Sequence, residues 1–261
     1  MRRTFLLFLF LSACSADVPP TLPEFVHVRL DGDSLRIGAR NPLASPATFA
    51  VEAPEASRTV VLAAKDSAEI VTLPLAGRDS AAVAGGLRVS AIVGDYRAQP
   101  DTSARYAFPF PRGRSYSVIQ AYEGSFSHTS DYSRYAVDFS LAVGDTVTAA
   151  RDGVVATVVE RYTRGGNDRS LRDEANFVTL HHADGMLSQY VHLAPDGALV
   201  EPGDSVRVGD AIGISGSTGF TSRPHLHFNV LRPVVGDAGS IPVRFERVEG
   251  RALRKGDRAR H

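Results

Sequence analysis

From Phe25 to about Phe108 the chain alternates apolar and polar residues in short runs. They are Val26-His-Val-Arg-Leu, Ser34-Leu-Arg-Ile, Thr48-Phe-Ala-Val, Thr59-Val-Val-Leu, Ala68-Glu-Ile-Val-Thr-Leu, Leu87-Arg-Val-Ser-Ala-Ile-Val and Arg105-Tyr-Ala-Phe. A period of two places alternate side chains on one buried face, and the intervening Gly, Pro, Asp and Asn supply turns. The spacing predicts an Ig-like β-sandwich of about seven strands over residues 25–110. Its one histidine, His27, reads as solvent-facing, and the segment carries no chemical motif. We read it as a spacing or docking domain.

Pro109-Phe-Pro-Arg-Gly113 breaks the composition and marks a boundary. Residues 114–235 then read as a second all-β domain. Tyr135-Ala-Val-Asp138-Phe-Ser-Leu-Ala-Val-Gly144 is followed by Asp-Thr-Val-Thr-Ala-Ala-Arg-Asp-Gly153-Val-Val, in the manner of strand, Gly turn, strand, Asp-Gly hairpin and strand. Asn176-Phe-Val-Thr-Leu-His-His182 and Ser188-Gln-Tyr-Val-His192-Leu flank a further Asp184-Gly185 turn. The charged, Gly-containing stretch from Arg161 to Glu174 is long enough for either a binding rim or a mobile insertion. Residues 236–261 read as one last strand, around Val243 to Val248, followed by a charged, disordered end.

Before Phe25 the pattern changes. Arg2 and Arg3 precede the apolar run Phe5 to Leu11, which is much shorter than the roughly 20 residues of a spanning helix, so 1–13 reads as an export signal. Leu11-Ser12-Ala13-Cys14 resembles a bacterial lipobox, in which the Cys is acylated after cleavage just before it; the alternative is a plain secretory signal cut elsewhere. The resemblance implies a lipid anchor on Cys14 and Ser15 implies sorting to the periplasmic face of an outer membrane, with 14–24 as a Pro-rich tether. Cys14 is also the single cysteine of the chain, which excludes an intramolecular disulfide. Without Arg2 and Arg3 the 29 basic residues fall to 27 against 29 acidic, a balance that points away from nucleic acid as a partner. The sequence leaves the oligomeric state open.

Candidate chemistry gathers at Pro224-His225-Leu-His227-Phe. On a strand, residues two apart share a face, so His225 and His227 present two imidazoles side by side, fit for metal ligation, for proton transfer, or for one of each. Asp138 lies between Val137 and Phe139 and projects opposite both, toward a groove or solvent if those two face a core. His181 and His182 read as structural or supporting rather than ligating, and Asn176 as a support. The phrase Gly-Asp-x-Val-x-x-Gly-Asp-x-Ile-Gly, at 203–213, also occurs in biotin- and lipoyl-carrier folds, but Lys65 and Lys255 are the only lysines and both lie outside this domain.

Taken together, Tyr-Ala-Val-Asp-Phe, Gly-Asp-Thr-Val-Thr-Ala-Ala-Arg-Asp-Gly-Val-Val, Tyr-Val-His-Leu, Gly-Asp-x-Ile-Gly-x-Ser-Gly-x-Thr-Gly and Pro-His-Leu-His-Phe resemble the lysostaphin/LytM-type zinc metallopeptidases of bacterial cell walls. The resemblance covers roughly Tyr116 to Arg232. It implies an antiparallel sheet forming a groove with Zn2+ on its floor, and hydrolysis of peptidoglycan peptides. It implies Asp138 and His227 as metal ligands, and His192 and His225 as catalytic histidines that do not ligate. One position departs. The family's first ligand is a His four residues before the Asp, and here that residue is Arg134, which cannot ligate. His128, in Ser-Phe-Ser-His, is the upstream candidate to replace it, as in relatives with Ser-His ahead of a short insertion. The alternative is a broken site in a catalytically inactive protein that binds cell wall or regulates another hydrolase.

Overall fold

A computed structural model describes residues 25–261; the export signal, Cys14 and the tether lie outside the described residues. The chain divides into two compact units. One comprises the described residues up to Tyr96 with Val234–Asp237, the other Arg97–Pro233 with Ala238–His261. Among the described residues no helix is long and apolar enough to cross a membrane.

The first unit contains β1 (Val26–Asp31), β2 (Ser34–Arg40), β3 (Ala47–Ala53), β4 (Ala56–Leu62), β5 (Ser67–Pro74), helix α1 (Ser80–Gly85) and β6 (Arg88–Val93). The strands form two antiparallel sheets, β1-β2-β5 and β4-β3-β6. Alternation supplies the core: Leu35, Ile37 and Ala39 from one sheet join Ala47, Phe49 and Val51 from the other. Asp79 caps α1, accepting a hydrogen bond from the Ala82 N–H at 2.9 Å. The unit thus has six strands and a short helix where seven strands were expected.

The seventh expected strand, Arg105 to Phe108, forms only one isolated bridge, Tyr106 to Phe245, and lies in the second unit. Tyr106, Phe108 and Phe110 join that unit's core, where Phe108 stacks on Phe245 with ring centroids 4.7 Å apart and meets Phe139 edge-on at 5.8 Å. Each such aromatic pair adds roughly 0.5–1.5 kcal/mol beyond the burial itself. The compact units accordingly separate after Tyr96, not at Pro109–Gly113.

The second unit runs through β7 (Ser115–Gln120), β8 (Val137–Phe139), β9 (Thr146–Thr148), β10 (Gly153–Val159), β11 (Gly165–Gly166), β12 (Phe177–His181), β13 (Leu187–Val191), β14 (Leu193–Ala198), β15 (Ser205–Val206), β16 (Ala211–Ser215), β17 (Gly219–Phe220), β18 (Leu226–Val234), β19 (Asp237–Ile241) and β20 (Arg258–Arg260). Its large sheet has the order β15-β10-β12-β13-β18-β8-β7-β20, with β19 also on β18; a smaller sheet, β14-β16-β9, shares the same core through Leu193, Ile212 and Val147. Val137, Phe139, Leu226, Phe228, Val230 and Tyr190 all point into that core. The pleat therefore turns Asp138 and His227 to the opposite face of the large sheet. There they sit directly opposite each other in the β8–β18 register.

One further expectation is corrected. The C-terminal segment is not a disordered end, because β20 pairs with β7 and Ala259 between its two arginines is buried. Charge on an exposed edge strand masks such a strand in the sequence. The stretch from Arg161 to Glu174 carries structure of its own: β11 pairs in parallel with β17, and a 3₁₀ turn over Arg169–Glu174 is joined to Arg164 by a Glu174 ion pair at 2.6 Å. Gly165 permits this, since a Cβ there would lie 1.6 Å from the carbonyl oxygen of Ser217.

Candidate metal centre

Three donor atoms from three parts of the chain meet beneath one face of the large sheet. His227 Nδ1 on β18 lies 2.9 Å from Asp138 Oδ1 on β8. His128 Nε2, from the loop between β7 and β8, lies 3.2 Å from the same oxygen and 3.3 Å from His227 Nδ1. In a zinc tetrahedron with bonds of about 2.0–2.1 Å, ligand atoms lie roughly 3.3 Å apart, so this spacing and the two-nitrogen, one-carboxylate donor set fit such an ion. The set is a cluster able to hold a metal ion. His128 and Asp138 are 1% and 3% exposed, which shields the cluster from bulk water.

Each ligand candidate is aimed by a second contact. His128 Nδ1–H donates to the Ala121 carbonyl at 2.8 Å, which leaves the Nε2 lone pair for the cluster. Gln120 Nε2 donates to the other carboxylate oxygen, Asp138 Oδ2, at 3.0 Å. Burial works against ionisation of Asp138, yet the imidazoles of His225 and His128 and hydrogen bonds from His128 and His227 hold its carboxyl well below the usual range. Burial likewise opposes protonation of His128, but the Asp138 charge and hydrogen bond outweigh it and raise that pKa. For His227 burial dominates and the pKa falls, keeping the ring neutral as a ligand must be.

His192 and His225 stand beside the cluster without belonging to it. Their ring centroids are 4.5 Å apart, and His225 Nε2 is 3.7 Å from Asp138 Oδ2. His225 Nδ1–H donates to the Arg223 carbonyl at 2.9 Å, with Thr221 Oγ1 at 3.1 Å, and so faces the cluster with Nε2. His192 Nδ1–H donates to the Thr218 carbonyl at 2.7 Å, and burial, then the neighbouring His225 and His227, push its pKa well below the ordinary imidazole value. A neutral ring with Nε2 unprotonated is the form that accepts a proton. His192 sits at φ 69°, in the left-handed region.

Arg134 points away, paired with Asp131 at 2.8 Å and largely exposed. His182 takes no part either. Its Nδ1–H donates to the Asp152 carbonyl at 2.8 Å and its Nε2 meets Ser188 Oγ at 2.9 Å, in a buried chain that continues to the Tyr190 hydroxyl. His181 is half-buried at the end of β12. Asn176 is a buried staple, donating to the carbonyls of Tyr162 and Ala194 at 2.8 and 3.2 Å. Gln120 and Thr218 were not legible as site residues. Gln120 ends a strand, β7, that carries no motif, and Thr218 acts through its carbonyl, which any residue type possesses.

Residues 132–238 match the sequence profile of Peptidase family M23. The chain is 32% identical over 109 residues to the peptidoglycan DD-endopeptidase ShyA of Vibrio cholerae, covering 41% of this chain and 23% of that protein. It is 33% identical over 132 residues to the glycyl-glycine endopeptidase ALE-1 of Staphylococcus capitis, covering 50% and 32%. Among solved structures, the catalytic domain of lysostaphin from Staphylococcus simulans is 28% identical with a TM-score of 0.32, covering 45% of this chain and 79% of that one. The chain spans between 22% and 32% of the length of the first curated relatives it matches. Residues 132–238 are thus similar to the Peptidase family M23 domain, with relatives of the lysostaphin/LytM type.

Proposed function

We propose that this protein is a zinc-dependent endopeptidase that hydrolyses peptide bonds of peptidoglycan. The observation that carries the reading is the mutual approach of His128 Nε2, Asp138 Oδ1 and His227 Nδ1 to 2.9–3.3 Å, with Arg134 turned away. Bound there, zinc would supply a Lewis acid and lower the pKa of a water toward roughly 7. The chain's own residues do the rest. His128, Asp138 and His227 would hold the ion, while His225 and His192 present Nε2 atoms beside it, one to take a proton from a water and the other to steady charge on the substrate oxygen. General acid–base work of this kind contributes typically 10²–10⁴-fold.

The curated relatives are named for two different bonds, DD and glycyl-glycine, so the bond cut here is read from products. Zinc-loaded protein incubated with purified peptidoglycan is expected to release fragments with new amino and carboxyl ends, identified by mass, and His225→Ala is expected to abolish them. Intact stems, with zinc bound, would replace the hydrolase by a wall-binding protein. The lipobox-like Leu11 to Cys14 supports a lipid-anchored protein of the cell envelope, at the periplasmic face of an outer membrane, with the first unit as an Ig-like spacer or docking domain. Metabolic labelling with a fatty acid, lost in Cys14→Ser, tests the anchor.

A further inference from the structure

Two of the three donors above sit opposite each other on paired strands, whereas His128 rides on a loop that no strand fixes at its distance from Asp138. Resting on the metal-centre reading just given, we propose that Gln120 is the positioning residue that sets this distance, one side-chain amide joining the carboxylate to the loop that delivers the third ligand. Its Nε2 donates to Asp138 Oδ2 at 3.0 Å and to Ser127 Oγ at 2.8 Å, while its Oε1 accepts from the Phe126 N–H at 3.3 Å. Ser127 and Phe126 are the two residues before His128. Every polar atom of the amide is thus engaged either by the aspartate or by the loop.

The backbone is shaped for this contact at two points. Between Val118 and Gln120 the β7–β8 register slips, so that Val118 stands opposite Phe139 and Gln120 opposite Asp138. In an unbroken antiparallel ladder Gln120 would face Val137 and follow Val118 into the core. The extra residue re-aims it to the face that carries the metal centre. Gly124 is the second point. A Cβ there would lie 2.3 Å from Gln120 Cγ and 2.7 Å from its Cδ, so the loop can lie over the amide only because position 124 has no side chain. From Gly124 the loop turns directly to the ligand, the His128 N–H donating to the Gly124 carbonyl at 2.9 Å. This pair, a bulge-directed Gln and a facing Gly, offers a physical account of how a histidine ten residues before Asp138 stands in for one four residues before it.

The test is the zinc affinity of the full chain, by competition with a chromophoric chelator, for wild type, Gln120→Leu, Gln120→Met and Gly124→Ala. Removing an outer partner of a metal ligand lowers metal affinity by about 10- to 100-fold, and a loss in that range is expected for all three variants. Loss of the Asp138 contact is also expected to change the visible absorption of the Co2+-substituted protein. A purely structural Gln120 would instead lower the melting temperature of the metal-free protein and leave affinity and Co2+ spectrum at wild-type values. The inference is overturned if Gln120→Leu or the length-matched Gln120→Met, shown folded by circular dichroism, binds zinc as wild type does. Failure of wild type itself to bind zinc would sink the metal-centre reading first and this inference with it.

Discussion

His182 offers a measurement that isolates one buried group. Burial in the chain from Asp152 through Ser188 to Tyr190 lowers its pKa from the ordinary 6.5 to about 4, chiefly by desolvating the charged ring. The unfolded chain therefore binds a proton between pH 6.5 and 4 that the folded chain refuses. Stability linked to His182 is complete above about pH 6.5 and is lost as pH falls through the folded pKa of about 4. A difference of about 2.5 pKa units amounts to about 3 kcal/mol. Other groups titrate in this window, so the comparison is wild type against His182→Asn. Its amide keeps the donor to the Asp152 carbonyl but does not reach Ser188, a loss of about 1–3 kcal/mol at pH 7. Urea unfolding with a chelator present, followed by tyrosine fluorescence since the chain has 8 tyrosines and no tryptophan, gives the difference at each pH. The wild-type advantage is expected at pH 7 and should vanish or reverse near pH 4. An advantage that stays constant across the range refutes the buried-neutral assignment.

Other expectations follow from the cluster. His128→Ala should abolish zinc binding and hydrolysis, whereas Arg134→Ala, which removes only an exposed pair with Asp131, should leave both intact and shift stability by no more than about 0.5 kcal/mol; the reverse order of effects would restore the usual ligand spacing. Zinc at 100 times its dissociation constant should stabilise the protein by about 2.7 kcal/mol, or roughly 5–10 °C in Tm, and the shift should disappear in Asp138→Ala. Thr218→Val should cost about 1–3 kcal/mol by urea unfolding, because its hydroxyl serves the Asn176 N–H at 3.0 Å and the Leu193 carbonyl at 2.8 Å.

The strand assignments around Asp138 and His227 were legible because alternation alone decides which face each side chain takes. Asp138 opposite Val137 and Phe139, and His225 in step with His227, follow from a period of two. Alternation does not say whether a segment pairs or which core it joins, and Arg105–Phe108, expected as a strand of the first domain, lies in the second unit with one isolated bridge from Tyr106 to Phe245. Nor does it reveal a short edge strand such as Arg-Ala-Arg at 258–260, where one buried alanine is all the apolar signal there is. His128 was visible as a candidate, but its approach to Asp138 depends on a register slip at Gln120 and a bare position at 124, neither of which announces itself as chemistry. Thr218 and Ala121 act through carbonyl oxygens, which carry no sequence signature.

The backbone at His192 alters how mutagenesis of the His192 and His225 pair should be designed. Its φ of 69° lies where a Cβ is disfavoured by roughly 1–2 kcal/mol, and glycine alone escapes the penalty. Alanine there would discard the imidazole yet retain the steric conflict, whereas glycine would discard both. The difference in unfolding free energy between those two replacements reads out the torsional load carried by the turn after β13, independently of any imidazole chemistry.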